Sequence, residues 1–143
     1  MDAIIETQTG SKASIMRFPG GSNNTIGTDT NGMAKLTQQA AGRGLRYFDW
    51  TIISGDTSGD FNENTLLNNV KAELDLPYTQ RYSVLMVLCH DQVEETVNMI
   101  NDLIPWALDN DFVFLPITED TPDVTFNVEL PEVEEETEEA EEF

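Results

Sequence analysis

The sequence predicts an α/β fold built from parallel β/α units. Three observations support this prediction: four short stretches rich in apolar residues, helical spacing of apolar residues between them, and a regular alternation of the two. The order strand, helix, strand, helix, strand, helix, strand is typical of βαβ units. We therefore expect the four strands to lie parallel in one sheet.

Each predicted strand is short and is followed by a turn, a loop or a helix. The first lies near Ile15–Phe18 and ends at Pro19, before a loop rich in glycine and asparagine. The second, Arg46–Ile52, contains many aromatic and β-branched residues. The third, Val84–Cys89, is a continuous apolar run, as expected of a strand covered on both faces. The last is predicted at Phe112–Leu115.

Helices are predicted around these strands. The first nine residues after Met1 are typical of the end of a helix that stops at Gly10. The third helix has Asn62 or Asn64 as a plausible N-cap, and Pro105 is expected to kink or break the fourth. The apolar positions with helical spacing are Met33, Leu36 and Ala40, then Leu66, Leu67, Val70 and Leu74, then Val93, Val97, Ile100, Ile104 and Leu108.

The charge of the chain excludes several classes of partner. Its 143 residues include 27 Asp and Glu against 7 Lys and Arg, for a net charge of −20. Such a field repels nucleic acid and anionic membranes. We expect neither a membrane span nor a signal peptide, because long apolar stretches are absent from the sequence. Residues 1–127 are expected to form one domain, and residues 128–143 an acidic disordered tail.

Three polar side chains follow predicted strands and are candidates for a site. Arg17 ends the first strand, Asp56 follows the second, and His90 follows the third. Parallel strands bring their C-terminal ends to one edge, where the chemistry of such folds is found. An aspartate near a histidine can hold it as a general acid, and an arginine can orient another carboxylate.

Each candidate also has a purely structural interpretation. Asp91 could cap the following helix, with His90 beside it by coincidence. Asp56 could serve only the turn in which it lies, and Arg17 could be an ordinary surface residue. Trp50 could belong to the core rather than to a sugar-binding surface.

The stretches RFPGGS, YFDWTIISGD and VLCHD, in that order and spacing, resemble the third, fourth and fifth motifs of the polysaccharide deacetylases. This family is also known as the NodB-homology enzymes or carbohydrate esterase family four. The likeness runs from about Ile4 to Thr118 and is greatest to clostridial peptidoglycan N-acetylglucosamine deacetylases. It implies the C-terminal half of a deformed (β/α) barrel, a glycan substrate containing N-acetylglucosamine, a divalent metal, usually zinc or cobalt, and an extracellular or cell-surface location.

The resemblance also implies roles for individual residues. Arg17 matches the arginine that holds the catalytic-base aspartate, Asp56 the aspartate that tunes the catalytic histidine, and His90 the general acid that protonates the departing amine. The residues that would contact the substrate are Leu88 in the acetyl pocket, Pro19 and Gly20 in the groove wall, and Trp50.

The first two motifs of the family are absent from the sequence. A TFDDG-like stretch would supply the base and one metal ligand, and an H-[ST]-x-x-H stretch would supply two histidine ligands, whereas this chain has one histidine. We therefore expect the chain alone to hold no metal and to be inactive, and to associate with itself or with the missing N-terminal half. Two other functions stay open: a catalytically inactive carbohydrate-binding domain and an acidic protein-interaction module.

Overall fold

The computed structural model describes residues 2–25, 31–77 and 79–126. Helices and very short strands alternate along these ranges, with a 3₁₀ turn at Thr79–Arg81. The elements are α1 (Asp2–Thr9), β1 (Ile15–Met16), α2 (Gly32–Gly42), β2 (Arg46–Tyr47), β3 (Ile52–Ile53), α3 (Glu63–Leu74), β4 (Val87–Leu88) and α4 (Glu94–Asp109). The predicted tail, residues 128–143, lies outside the described residues.

The strands pair in parallel, as predicted, but in two separate sheets rather than one. β1 pairs with β2, with Ile15 opposite Arg46. β3 pairs with β4, with Ile52 opposite Val87. The prediction of a single four-stranded sheet is therefore wrong for the part of the chain that the structure describes.

The second predicted strand is divided because its main chain changes partner. Phe48 N still donates to Met16 O at 3.2 Å, but Asp49 N donates to Val124 O at 2.7 Å. Thr51 N then donates to Met86 O at 2.9 Å, which begins the ladder with β4. The run thus contributes its first residues to one sheet and its last residues to the other.

The predicted strand at Phe112–Leu115 is not formed. Asp111, with φ 65°, ends α4 in the left-handed region, and Phe112 N donates back to Ala107 O at 3.0 Å. The main chain of residues 113–117 makes no hydrogen bond to another described residue. Since a strand is defined by its ladder to a neighbour, these residues remain irregular.

α3 and α4 pack on β3 to form the larger core. The predicted stripe of α3 is buried as expected, and Asn62 Oδ1 accepts from Thr65 N at 3.0 Å as the N-cap. On α4 the predicted stripe is buried only in part: Ile100 packs against this core, but three of its members do not. Val97 is 49% exposed, and Ile104 and Leu108 are also exposed. The row that α4 buries is Thr96, Met99, Leu103 and Ala107.

α4 continues through Pro105, so the expected break does not occur. A proline removes the hydrogen bond of its own nitrogen, and the carbonyl that loses it belongs to the residue four positions earlier. That residue, Asn101, is exposed, so water can satisfy its carbonyl.

Across the residues that the structure describes, no helix has both the length and the apolar character needed to cross a bilayer.

Candidate active site

Asp56 and His90 meet at the C-terminal ends of β3 and β4. Because these strands are parallel neighbours, the residues that follow them emerge at the same edge. His90 Nδ1 lies 2.9 Å from Asp56 Oδ1, and His90 N donates to Asp56 Oδ2 at 2.6 Å. Ring and main chain of His90 are therefore both fixed by one carboxylate.

A third donor reaches the same carboxylate from α4. Thr96 Oγ1 donates to Asp56 Oδ2 at 2.8 Å, and Thr96 is fully buried. Asp56 itself is only 3% exposed. Sequence reasoning missed Thr96, although a threonine in the first turn of an otherwise apolar helix face is a signal for a buried hydroxyl with a specific acceptor.

The charge of Asp56 determines which nitrogen of His90 carries the proton. Burial raises the pKa of Asp56, but the hydrogen bonds from the His90 ring, Thr96 and the His90 main chain outweigh it and hold that pKa below its ordinary value. An ionised carboxylate can only accept hydrogen bonds, so His90 Nδ1 must be the donor. Nε2 is then the nitrogen available to a ligand, on a side chain that is 36% exposed.

Asp91 does not cap α4. The N-cap of α4 is Val93, which makes no side-chain capping hydrogen bond, and the Asp91 side chain is exposed. Cys89, on the other side of His90, is no strong nucleophile at neutral pH, because burial, Asp56 and Asp91 raise the pKa of its thiol. Of the groups near His90, the structure therefore connects only Asp56 to it as a charged partner in the described part of the chain.

The structure places Arg17 in a different cluster. Its guanidinium lies over the Trp50 ring, 5.8 Å from the ring centroid, and the Phe126 ring meets Trp50 edge-on at 5.0 Å. Among described residues, no hydrogen bond or ion pair joins Arg17 to Asp56 or His90. Arg17 is exposed, so its charge is accessible from outside the described fold.

A buried aspartate that sequence reasoning missed organises the cluster around Trp50. Asp49 accepts hydrogen bonds from Ser22 N at 2.8 Å, Ser22 Oγ at 2.5 Å and Phe126 N at 2.7 Å. It thereby ties the turn after Pro19 to the last described segment. The sequence did contain a signal for this role: a charged residue lies between Phe48 and Trp50 in a predicted strand. A charge that is buried there needs several hydrogen-bond partners.

The other predicted substrate contacts are divided between the two clusters. Leu88 is half-buried in β4, and its carbonyl accepts from Ser54 N at 3.1 Å, close to Asp56 in sequence. Pro19 and Gly20 are exposed in the turn. The neighbouring Gly21 has φ 92°, and a Cβ there would lie 2.8 Å from Phe126 Cε2, so this position requires glycine.

The described residues do not fit the divalent metal that the resemblance implies. No group of three or more His, Cys, Asp or Glu among them could hold an ion. His90 Nδ1, moreover, is engaged by Asp56. A catalytic zinc site needs three protein ligands converging on one position, which this donor set does not provide.

Comparison with protein-family models gives no match, and no curated protein matches the chain. Solved structures do match. The catalytic domain of a peptidoglycan N-acetylglucosamine deacetylase from Eubacterium rectale is 37% identical, with a TM-score of 0.80 over 90% of this chain and 58% of that chain. A CE4 esterase from Streptococcus mutans is 20% identical, with a TM-score of 0.63 over 79% of this chain and 48% of that chain.

A polysaccharide deacetylase from Bacillus cereus is 19% identical, with a TM-score of 0.65 over 87% of this chain and 58% of that chain. At this identity, the Streptococcus and Bacillus structures show the fold alone. The chain spans about half to three-fifths of the length of each of the three structures. The resemblance predicted from the three motifs is thereby confirmed: over the matched region, this chain has the fold of a polysaccharide deacetylase of carbohydrate esterase family four.

Proposed function

We propose that this chain supplies the general-acid side of a polysaccharide N-deacetylase active site. The single observation that carries the proposal is the His90–Asp56 pair, in which a buried, ionised carboxylate holds Nδ1 and leaves Nε2 without a described hydrogen-bond partner on a side chain that is 36% exposed. The substrate class is supported by the Eubacterium rectale neighbour, a peptidoglycan N-acetylglucosamine deacetylase. The substrate would be a glycan that carries N-acetylglucosamine.

The reaction is hydrolysis of the acetamide group. Water adds to the carbonyl carbon, the C–N bond breaks, and acetate and a free amine are formed. An amide nitrogen is a poor leaving group unless it receives a proton as the bond breaks. His90, as imidazolium, would give its Nε2 proton to that nitrogen, while Asp56 holds Nδ1–H and stabilises the charged ring. The base would take a proton from the attacking water, and return of that proton to His90 would restore both groups, so that acetamide and water become amine and acetic acid, which ionises to acetate.

The base and the metal belong, in this proposal, to polypeptide that is not in this sequence. The complete domain would use zinc or cobalt to activate the attacking water. Arg17, exposed above Trp50, would hold the catalytic-base carboxylate of that segment by a charge-assisted hydrogen bond. The chain alone would then be inactive. The groove residues would be Leu88, Pro19, Gly20 and Trp50.

The same proposal includes the finer architecture and the location. Residues 1–127 would form part of a deformed (β/α) barrel, completed by the segment that carries the base. Residues 128–143 would be an acidic tail. The protein would act outside the cell or at its surface, where a cell-wall glycan is found.

A chimera tests the proposal. This chain replaces the matched part of the Eubacterium rectale catalytic domain, and acetate release from an N-acetylglucosamine oligomer is measured with zinc or cobalt present. His90→Gln is expected to lower kcat by about 10²–10⁴-fold, the usual contribution of a general acid. The matched control is Asp91→Asn, a change at the exposed neighbour, which is expected to leave kcat within about twofold. Unchanged turnover in His90→Gln would contradict the proposal.

A further inference from the structure

Thr96 is a polar residue in the otherwise apolar buried row of α4. The other members of that row are Met99, Leu103 and Ala107. The Thr96 side chain is fully buried, and burial of a hydroxyl group is unfavourable unless a hydrogen bond compensates for it. Valine would fill nearly the same space without that cost. The hydroxyl group at this position therefore does something that packing alone does not require.

The hydroxyl proton of Thr96 lies on its contact with Asp56. Threonine inside a helix often bonds to a main-chain carbonyl three or four positions earlier. Thr96, however, is the third residue of α4, which begins at Glu94, so those carbonyls precede the helix. Thr96 Oγ1 donates instead to Asp56 Oδ2 at 2.8 Å. Since an ionised carboxylate can only accept, the direction of this hydrogen bond is fixed.

Thr96 also fixes the plane of the Asp56 carboxylate. The torsion that rotates a carboxylate has broad minima, so its hydrogen-bond partners decide its orientation. Oδ2 accepts from His90 N at 2.6 Å as well as from Thr96, and Oδ1 lies 2.9 Å from His90 Nδ1. Among the described residues, Thr96 is thus the one side chain other than His90 that donates to this carboxylate. Without it, Asp56 would be held only by the residue that it has to orient.

We propose that Thr96 is a positioning residue for the general acid: its hydroxyl group holds Asp56 Oδ1 against His90 Nδ1, so that the Nε2 proton points toward the leaving nitrogen. Thr96 acts through Asp56, and because it is fully buried it does not touch the glycan. This inference rests on the proposed function. It adds to the site an uncharged residue on α4 that lies outside the three sequence motifs.

Two pairs of proteins test the hydroxyl group alone. The wild type and Thr96→Val have side chains of nearly the same shape, and Thr96→Ser and Thr96→Ala also differ by a hydroxyl group. In the chimera, the member with the hydroxyl group is expected to have a kcat about tenfold higher in each pair, because a hydrogen bond to a charged group is lost in the other. KM should change by less than about threefold.

The two pairs separate positioning from packing. Thr96→Ser keeps the hydroxyl group and loses the methyl group, so it should retain kcat within about threefold of the wild type. If Thr96 served only to fill space, Thr96→Val would resemble the wild type, and Thr96→Ser would be the more impaired of the two. The second pair also keeps the test informative if Thr96→Val does not fold.

Thr65→Val is the matched control. Thr65 is likewise the third residue of its helix, α3, and its hydroxyl group donates to Asn62 Oδ1 at 3.2 Å. It is exposed and makes no described contact with Asp56 or His90. The same substitution at the same helical position should therefore leave kcat within about twofold of the wild type.

The full chain by itself gives an independent readout. His90 is the only histidine in the sequence, so ¹⁵N-labelled histidine reports on one ring. A carboxylate that can rotate protects the Nδ1 proton less well, so exchange of this proton with water should be about tenfold faster in Thr96→Val than in the wild type. In Thr96→Ser and Thr65→Val it should stay within about threefold of the wild type.

Any of three results would overturn the inference: a kcat in Thr96→Val within about twofold of the wild type, unchanged exchange of the Nδ1 proton in that variant, or a Thr96→Ser no more active than Thr96→Val. Failure of the proposed function looks different. Turnover that His90→Gln leaves unchanged contradicts the function, even where Thr96→Val speeds proton exchange. Turnover that His90→Gln abolishes and Thr96→Val does not affect contradicts only this inference.

Discussion

Asp56→Asn is expected to remove most of the proton-donating capacity that the proposed function assigns to His90, while the fold is retained. Asparagine has the shape of aspartate, so its oxygen can still accept from His90 N and Thr96 Oγ1 at the position of Oδ2. Its NH₂ group then faces His90 Nδ1, where Oδ1 was. Because NH₂ donates, Nδ1 must accept, and the ring proton moves to Nε2. If His90 became an imidazolium, its Nδ1–H would face the NH₂ group of the asparagine, and two donors would oppose each other. The variant therefore disfavours the protonated ring.

In the chimera, Asp56→Asn should therefore lower kcat by about 10²–10⁴-fold, close to the effect of losing the general acid. KM should change by less than about threefold, because Asp56 acts through His90 and is too buried to meet the glycan. Asp91→Asn serves as the control. A large rise in KM with unchanged kcat would show that Asp56 supports substrate binding rather than proton transfer.

The stability of the chain should also depend on Asp56 in acid. The pKa of Asp56 is lowered in the folded state, so its carboxylate stabilises the fold fully above the unfolded pKa, about 4. That stabilisation is lost as the pH falls through the lower folded value. Urea denaturation should thus show the wild type more stable than Asp56→Asn at pH 6, with the difference shrinking below about pH 4. A difference that grows in acid would contradict this assignment.

Asp49→Ala is expected to destabilise the chain by about 2–4 kcal/mol. It leaves Ser22 N, Ser22 Oγ and Phe126 N without their acceptor, and Ser22 is fully buried. Asp49 is only 4% exposed, so water can reach these donors only if the site opens. Urea denaturation at pH 7, followed by tryptophan fluorescence, measures both the loss of stability and the exposure of Trp50.

Two variants sharpen this test. Asp49→Asn keeps one oxygen but turns an amide toward Ser22 N or toward Phe126 N, so it should recover only part of the loss. Asp60→Ala, at an exposed aspartate, should change stability by less than about 0.5 kcal/mol. A loss at Asp49→Ala no larger than at Asp60→Ala would show that the three short contacts do not hold the turn.

Local patterns predicted the helices well because each carries its own signals. α3 has an asparagine cap followed by four apolar residues at helical spacing, and all four are buried. α4 shows where this reasoning stops. Its sequence offers two apolar rows, and the buried one, which includes Thr96 and Ala107, is the less apolar by composition. The choice depends on how α3 packs against it, which no single helix encodes.

The strands were harder to predict than the helices, because their formation also depends on contacts with other parts of the chain. Apolar and β-branched residues mark Arg46–Ile52 and Phe112–Leu115 as strand-like, but a strand exists only where its main chain finds a partner. In the run Arg46–Ile52, the main-chain N–H of Asp49 donates to Val124 O and not to β1. Residues 113–117 have no main-chain partner in the described part of the chain. Sequence composition thus indicates a capacity for pairing, while the available neighbours decide the outcome.

The pairing of His90 with Asp56 could be anticipated because it follows from parallel strands, whose C-terminal ends share an edge. Arg17 was expected at that edge as well; β1 belongs to the other sheet, and the contact that the structure gives Arg17 is with the Trp50 ring. The roles of Thr96 and Asp49 were not predicted, because a buried polar residue is identified by its hydrogen-bond partners. Those partners lie far away in sequence.

The central claim is that Asp56 fixes His90 with its proton on Nδ1. The chain has one histidine, so ¹⁵N-labelled histidine gives the signals of a single imidazole. Long-range ¹H–¹⁵N spectra recorded where the ring is neutral distinguish a protonated nitrogen from an unprotonated one. We expect Nδ1 protonated and Nε2 unprotonated in the wild type, and the reverse in Asp56→Asn. A wild-type ring that carries its proton on Nε2 would contradict the account.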